Sequence, residues 1–148
     1  MAFSAITLFC DDIRYEYDGK ETLVGVYQAA YQAPDFPLHI HNLYAVTTIR
    51  FTEGDAPENL QIETHLLENA PAIWKMPDAD AAQAKGEARD NDAPDDSLQF
   101  RMVARLPNFT VPHPGPLIVR VRSGGTLLPS GALTFRHEDE MAHDDGPA

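Results

Sequence analysis

From residue 43 to residue 51 the chain alternates without a break. Leu43, Ala45, Thr47, Ile49 and Phe51 share one parity, and Tyr44, Val46, Thr48 and Arg50 share the other. Successive side chains of a strand point to opposite faces, so this segment predicts a central strand with one buried and one partly exposed face. The same period of two returns in residues 3–10 and 22–27. It returns again where Leu60, Ile62, Thr64 and Leu66 alternate with Gln61, Glu63 and His65, and where Leu98, Phe100, Met102 and Ala104 alternate with Gln99, Arg101, Val103 and Arg105. A chain written this way must satisfy its backbone polar groups in sheets.

Turn chemistry divides the alternating runs. Asp18-Gly19 separates residues 13–17 from residues 22–27 and predicts a hairpin, because glycine tolerates the positive φ such turns need. Gly124-Gly125 plays the same part between residues 117–122 and 126–135. Pro34, Phe36 and Pro37 predict an irregular extended crossing, since proline lacks an N–H donor and pushes its predecessor out of the helical region. Between Pro71 and Pro77, Trp74 is expected to anchor the start of the next segment by burying its ring. Residues 109–116, rich in proline, predict a loop before the closing hairpin. Seven to eight strands without βαβ spacing point to an all-β, antiparallel two-sheet sandwich of Greek-key, immunoglobulin-like type.

The net charge of −12 is unevenly spread. Residues 78–96 hold seven acids against Lys85 and Arg89, and residues 137–148 hold five acids with no Lys or Arg. The remaining eleven acids and nine bases leave the body near neutrality. A single domain over residues 1–136 is therefore expected, with a long acidic, flexible loop at 78–96 and an acidic disordered tail at 137–148. Nucleic acid is excluded as a partner because clustered Lys and Arg are lacking. Apolar runs far shorter than the roughly 20 residues of a spanning helix argue against membrane insertion. Cys10 is alone, so no internal disulfide can form, and the start lacks a signal-peptide pattern; a cytoplasmic setting is expected.

Chemistry-bearing residues are sparse. His39 and His41 share one face of an extended segment, and His65 and His113 are the further imidazoles a metal site would recruit; two residues of fixed geometry fall short of the three or more a centre needs, so surface histidines are the expected role. Cys10 has no base beside it, and Asp11-Asp12 are expected to satisfy backbone N–H groups at a bend between the first strand and the hairpin. No serine sits in a nucleophile elbow and no glycine run makes a phosphate loop. Neither catalytic residues nor a cofactor are expected. Tyr31, Phe36, Tyr44 and Phe109, with Tyr27, are candidates for a recognition patch beside prolines, or for plugging the sandwich ends. Arg101, Arg105, Arg120 and Arg122 suit cross-strand ion pairs.

The phrase FCDDIRYEYDGKETLVGVY at residues 9–27, followed by a proline-containing segment and LYAVTTIRF, resembles the opening of an uncharacterised bacterial family of small proteins known only as a domain of unknown function. PGPLIVRVRSGGTLL, at residues 114–128, resembles its closing hairpin more loosely. The resemblance implies a compact cytoplasmic β-sandwich and brings no catalytic residues. The expected function is a non-enzymatic module that binds another protein or itself; the alternative is a small-ligand or metal-dependent enzyme built on the histidines.

Overall fold

The computed structural model describes residues 3–52, 59–77 and 97–139. Among these the chain forms β1 (Phe3–Tyr15), a 3-10 turn (Tyr17–Gly19), β2 (Glu21–Tyr27), β3 (Ala30–Ala33), β4 (Leu38–Thr52), β5 (Gln61–Leu66), β6 (Ala72–Lys75), β7 (Ser97–Val111), β8 (Gly115–Ser123) and β9 (Thr126–His137). Two sheets result, ordered β2-β1-β4-β7 and β3-β9-β8-β5-β6. The architecture is a two-sheet sandwich, as the alternation predicts, and β4 is central in the first sheet.

Nine strands stand where seven to eight were expected, because β3 and β6 have only four residues each and carry no readable alternation. Both are edge strands, β3 recruited by a partner far along the chain and β6 by its hairpin neighbour β5. β3 pairs in parallel with β9, Ala30 to Ala33 lying beside Thr134 to His137, and β6 pairs with β5, placing Trp74 opposite Thr64. Two further boundaries are corrected. β1 does not end at Cys10 but continues through Asp11 and Asp12 to Tyr15, paired with β2 throughout. β7 runs on through Phe109 to Val111 because β4 continues beside it to Leu38, so the predicted loop shrinks to Pro112–Pro114. β9 extends through His137; residues 78–96 and 140–148, where the acidic loop and most of the tail were expected, lie outside the described residues.

The predicted core parity of β4 is the observed one: Leu43, Ala45, Ile49 and Phe51 face Leu117, Val119, Val121, Leu133 and Phe135 across the sandwich. Along the pair β4–β7 the core-facing parity changes once, between Ile40 and Leu43 on β4 and between Leu106 and Phe109 on β7. Asn108, at φ 47, sits at that step. The shift lets both ends of two 15-residue strands stay on one core while the sheet twists.

A buried chain of hydroxyls links the sheets. Thr7 Oγ1 lies 2.8 Å from Thr47 Oγ1 and 2.7 Å from Ser130 Oγ, and Ser130 donates to the Val119 carbonyl at 3.2 Å. Each hydroxyl has one proton, so this last bond sets the direction: Thr7 donates to Ser130 and Thr47 donates to Thr7. Thr64 is also fully buried, yet its Oγ1 has no hydrogen-bond partner among the described residues. The same near-isosteric substitution should therefore act with opposite signs. Thr7→Val is expected to cost about 1–3 kcal/mol by stranding the groups on either side, whereas Thr64→Val is expected to stabilise by about 1 kcal/mol. Urea unfolding midpoints of the two variants check both.

Candidate functional surface

The four candidate histidines fall at three separate places. His39 and His41 alternate on the exposed side of β4 with ring centroids 4.7 Å apart, edge to face. His65 lies on β5 in the other sheet, its Nε2 3.0 Å from Glu63 and its Nδ1 donating to the Ala70 carbonyl at 2.9 Å. His113 is in the turn before β8, its Nδ1 2.9 Å from the Pro114 carbonyl. Among the described residues no three His, Cys, Asp or Glu side chains come together as a metal-holding group. The arginines divide likewise: Arg101 pairs with Glu21 at 2.7 Å, Arg105 donates to Asn42 and Arg120 to the Glu68 carbonyl.

Cys10 is fully buried, and burial, reinforced by the charges of Asp11 and Asp12, pushes its thiol pKa above the ordinary 9.0. A protonated, enclosed thiol is no nucleophile. The aspartates lie within β1, which is one continuous strand there, just past Cys10 where it stops pairing with β4. Asp12 still accepts a backbone N–H, that of Ile13, at 2.8 Å. Asp11 instead accepts the Tyr27 hydroxyl proton, and its carboxylate fills the space a Cβ on Gly25 would need. Gly25 itself takes φ 69, which favours glycine there, and an added Cβ would also displace the Asp11 carboxylate. Burial first, then the bond to Asp11 and its charge, push the Tyr27 hydroxyl well above its ordinary 10.0. Both Cys10 and Tyr27 hold their protons more tightly folded than unfolded, so the stability they contribute is complete below 9.0 and 10.0 and is lost as pH rises past those values. Melting temperature is expected to fall from about pH 9 upward, and Cys10→Ala should flatten the first part of that fall. An unchanged slope in the variant would contradict the assignment.

Of the aromatic candidates, Tyr31, Phe36 and Phe109 are half-buried against the main core. Tyr27 stacks on Tyr31 at 5.2 Å, Tyr31 lies 5.3 Å from Phe135, and Phe109 lies 6.5 Å from Phe135. This row plugs one end of the sandwich. Tyr44 is on the opposite face of β4, packed on a small second cluster of Cys10, Ile13 and Val46 with Leu23 and Val103.

That second cluster shows how β1 and β2 travel. β1 pairs with β4 only from Phe3 to Cys10, whereas β2 follows it from Phe9 to Tyr15. Cys10 and Val46 belong to the outer face of the first sheet, yet they are 0% and 3% exposed. Something covers them, and Ile13 and Leu23 belong to the cluster. Arg101 lies opposite Thr48, which lies opposite Ile6; Glu21 lies opposite Tyr15. Were β1 straight, Tyr15 would stand about 30 Å beyond Ile6 at the rise of an extended strand. The 2.7 Å contact between Glu21 and Arg101 is possible only because the β1–β2 ribbon turns at Asp11 and Gly25 and lies back across the outer face.

Beside this arm the sheet is apolar and open. Ile6 and Leu8 are 59% and 41% exposed, and Val26, opposite Cys10 and thus diagonal to Leu8, is 45% exposed. Tyr15 and Tyr17 stand out at the tip of the arm. Sequence reasoning passed over these five residues. The signal was present in the even positions of residues 3–10, where Ile6 and Leu8 are as apolar as their core-facing neighbours.

A family of unknown function, DUF6941, matches residues 5–136, which is nearly all of the described chain. The protein belongs to DUF6941. No curated protein and no solved structure matches it. The match spans every strand from β1 to β9, so the open face, the arm and the seat beneath the arm all lie within the DUF6941 region. Among the described residues of this DUF6941 chain no helix is long and apolar enough to cross a membrane.

Proposed function

We propose that the protein is a non-enzymatic, immunoglobulin-like module that associates with a second copy of itself through the outer face of the β2-β1-β4-β7 sheet. One observation carries the reading: of the seven large hydrophobic residues that are exposed among the described residues, five (Ile6, Leu8, Tyr15, Tyr17 and Val26) lie on β1, β2 or the turn between them. Clustered rather than scattered apolar exposure is what marks an interaction surface. The face is also compatible with itself. Ser4 and Thr48 border Ile6 without charge, the nearby Arg101 is paired with Glu21, and exposed Arg50, opposite Ser4, stands at the margin. Two copies related by a two-fold axis would therefore meet apolar against apolar. The immunoglobulin-like assignment draws on the five-stranded order, in which β3 runs parallel to β9 at one edge and the β5–β6 hairpin closes the other.

Sedimentation equilibrium over a range of concentrations tests the reading. A concentration-dependent dimer is expected, and Ile6→Asp should abolish it while leaving the melting temperature within a few degrees, because an exposed side chain contributes little to folding. A wild-type chain that remains monomeric at its highest soluble concentration overturns self-association. If such a monomer instead retains a stoichiometric partner that Ile6→Asp loses, the face serves a different protein.

A further inference from the structure

We propose that the β1–β2 arm is exchangeable, and that the second copy is held by reciprocal docking of each arm on the other copy's seat. The inference rests on the self-association proposed above and specifies its mode. The seat is Cys10, Val46, Tyr44 and Val103; the arm brings Ile13 and Leu23 onto it and locks its tip with the Glu21–Arg101 ion pair.

Three observations converge on exchange. First, among the described residues the arm shares no ladder with the body beyond its root: β1 stops pairing with β4 at Cys10, opposite Tyr44, and beyond that point side-chain contacts and the Glu21–Arg101 ion pair hold the ribbon down. Lifting it breaks no strand pairing. Second, the root is built as a pivot. Gly25 at φ 69 and Asp11 mark the point where the ribbon leaves the sheet, while the Tyr27–Asp11 hydrogen bond fastens the strands just inside it. Third, the seat is already complementary in shape and charge to one segment, the arm of this same sequence. Every contact made within one chain can be remade between two, so exchange costs little beyond association itself, which is the general condition for swapping of an identical element. A two-stranded ribbon is marginal alone and needs a seat in one copy or the other. Because the arm is short, mutual docking also brings the two outer faces together, placing Ile6, Leu8 and Val26 of both copies at the junction.

Charge reversal gives a selective test. Glu21→Arg alone and Arg101→Glu alone each set like charges against one another within a chain and within any homodimer. Mixed one to one, they restore both ion pairs only if each arm sits on the other chain. Native mass spectrometry, which separates the two variants by mass, reads the outcome, and the double variant Glu21→Arg/Arg101→Glu, with its pair restored in one chain, should match wild type in melting temperature and mass. The expected result is a heterodimer enriched at least several-fold over both homodimers in the mixture. Statistical mixing, with heterodimer at the level chance gives, overturns arm exchange while leaving association through the face standing. A wild-type chain that is monomeric throughout removes the self-association reading as well.

Discussion

Phe135→Ala should remove about 3–5 kcal/mol of stability, the cost of emptying a large aromatic site that cannot fully collapse. Phe135 has no exposed surface, and its ring contacts both Tyr31, at 5.3 Å, and Phe109, at 6.5 Å. Tyr31 is also its direct partner in the parallel β3–β9 register. The loss should therefore be felt twice, once in the main core and once in the hold on β3, a four-residue edge strand with few other attachments. With total stabilities of about 5–15 kcal/mol typical of such domains, the variant would lose a large share of its stability. Urea titration should show a much lower midpoint, and hydrogen exchange at residues 30–33 should accelerate before that of β8. Leu127→Ala, at a residue 48% exposed, should change stability by less than about 0.5 kcal/mol. Equal effects of the two substitutions would sink the assignment of Phe135 as the keystone.

Gly131→Ala is the second substitution expected to have a large effect, about 2–3 kcal/mol, although it adds one methyl group. A Cβ there would lie 2.9 Å from the Thr7 carbonyl oxygen and 3.1 Å from the Thr7 Cβ. The near atom is backbone, which cannot rotate away, so β1 and β9 would have to separate. Their separation would also stretch the 2.7 Å hydrogen bond between Thr7 and Ser130, one residue from the new methyl. Gly125→Ala is the matched control: nothing lies within 4 Å of its Cβ position, and it should be nearly neutral. Calorimetric melting of the pair measures the difference, and coincident melting temperatures would refute close approach of the sheets at this corner. The corner matters for the proposed function because Thr7 sits between Ile6 and Leu8 on β1. Its hydrogen bond to Ser130 ties the strand that carries the open apolar face to the second sheet.

Much of this architecture was legible beforehand, for a reason visible in particular residues. Leu43 to Phe51, Leu60 to Leu66 and Leu117 to Arg122 carry their own period, because a half-buried strand needs alternate apolar side chains whatever its partner. The Asp18-Gly19 turn, at φ 74 and 75, is equally local, since positive φ selects its residues directly.

The remaining features depend on contacts between distant segments. β3 is a strand only because β9 lies beside it, and four residues next to a proline have no period to show. Arg101 could be assigned an acidic partner from sequence, but Glu21 becomes that partner only when the ribbon turns back at Gly25. Cys10 is buried, yet on the outer side of the sheet beneath the arm. By itself, then, the sequence determined the all-β class, the hairpins and the identity of the core positions, because these follow from local backbone preference and burial of alternate side chains. Tertiary structure alone decided the edge strand β3, the folded-back arm and the open apolar face, because they depend on contacts between segments far apart in sequence, Ala30 to Ala33 beside Thr134 to His137 and Glu21 beside Arg101.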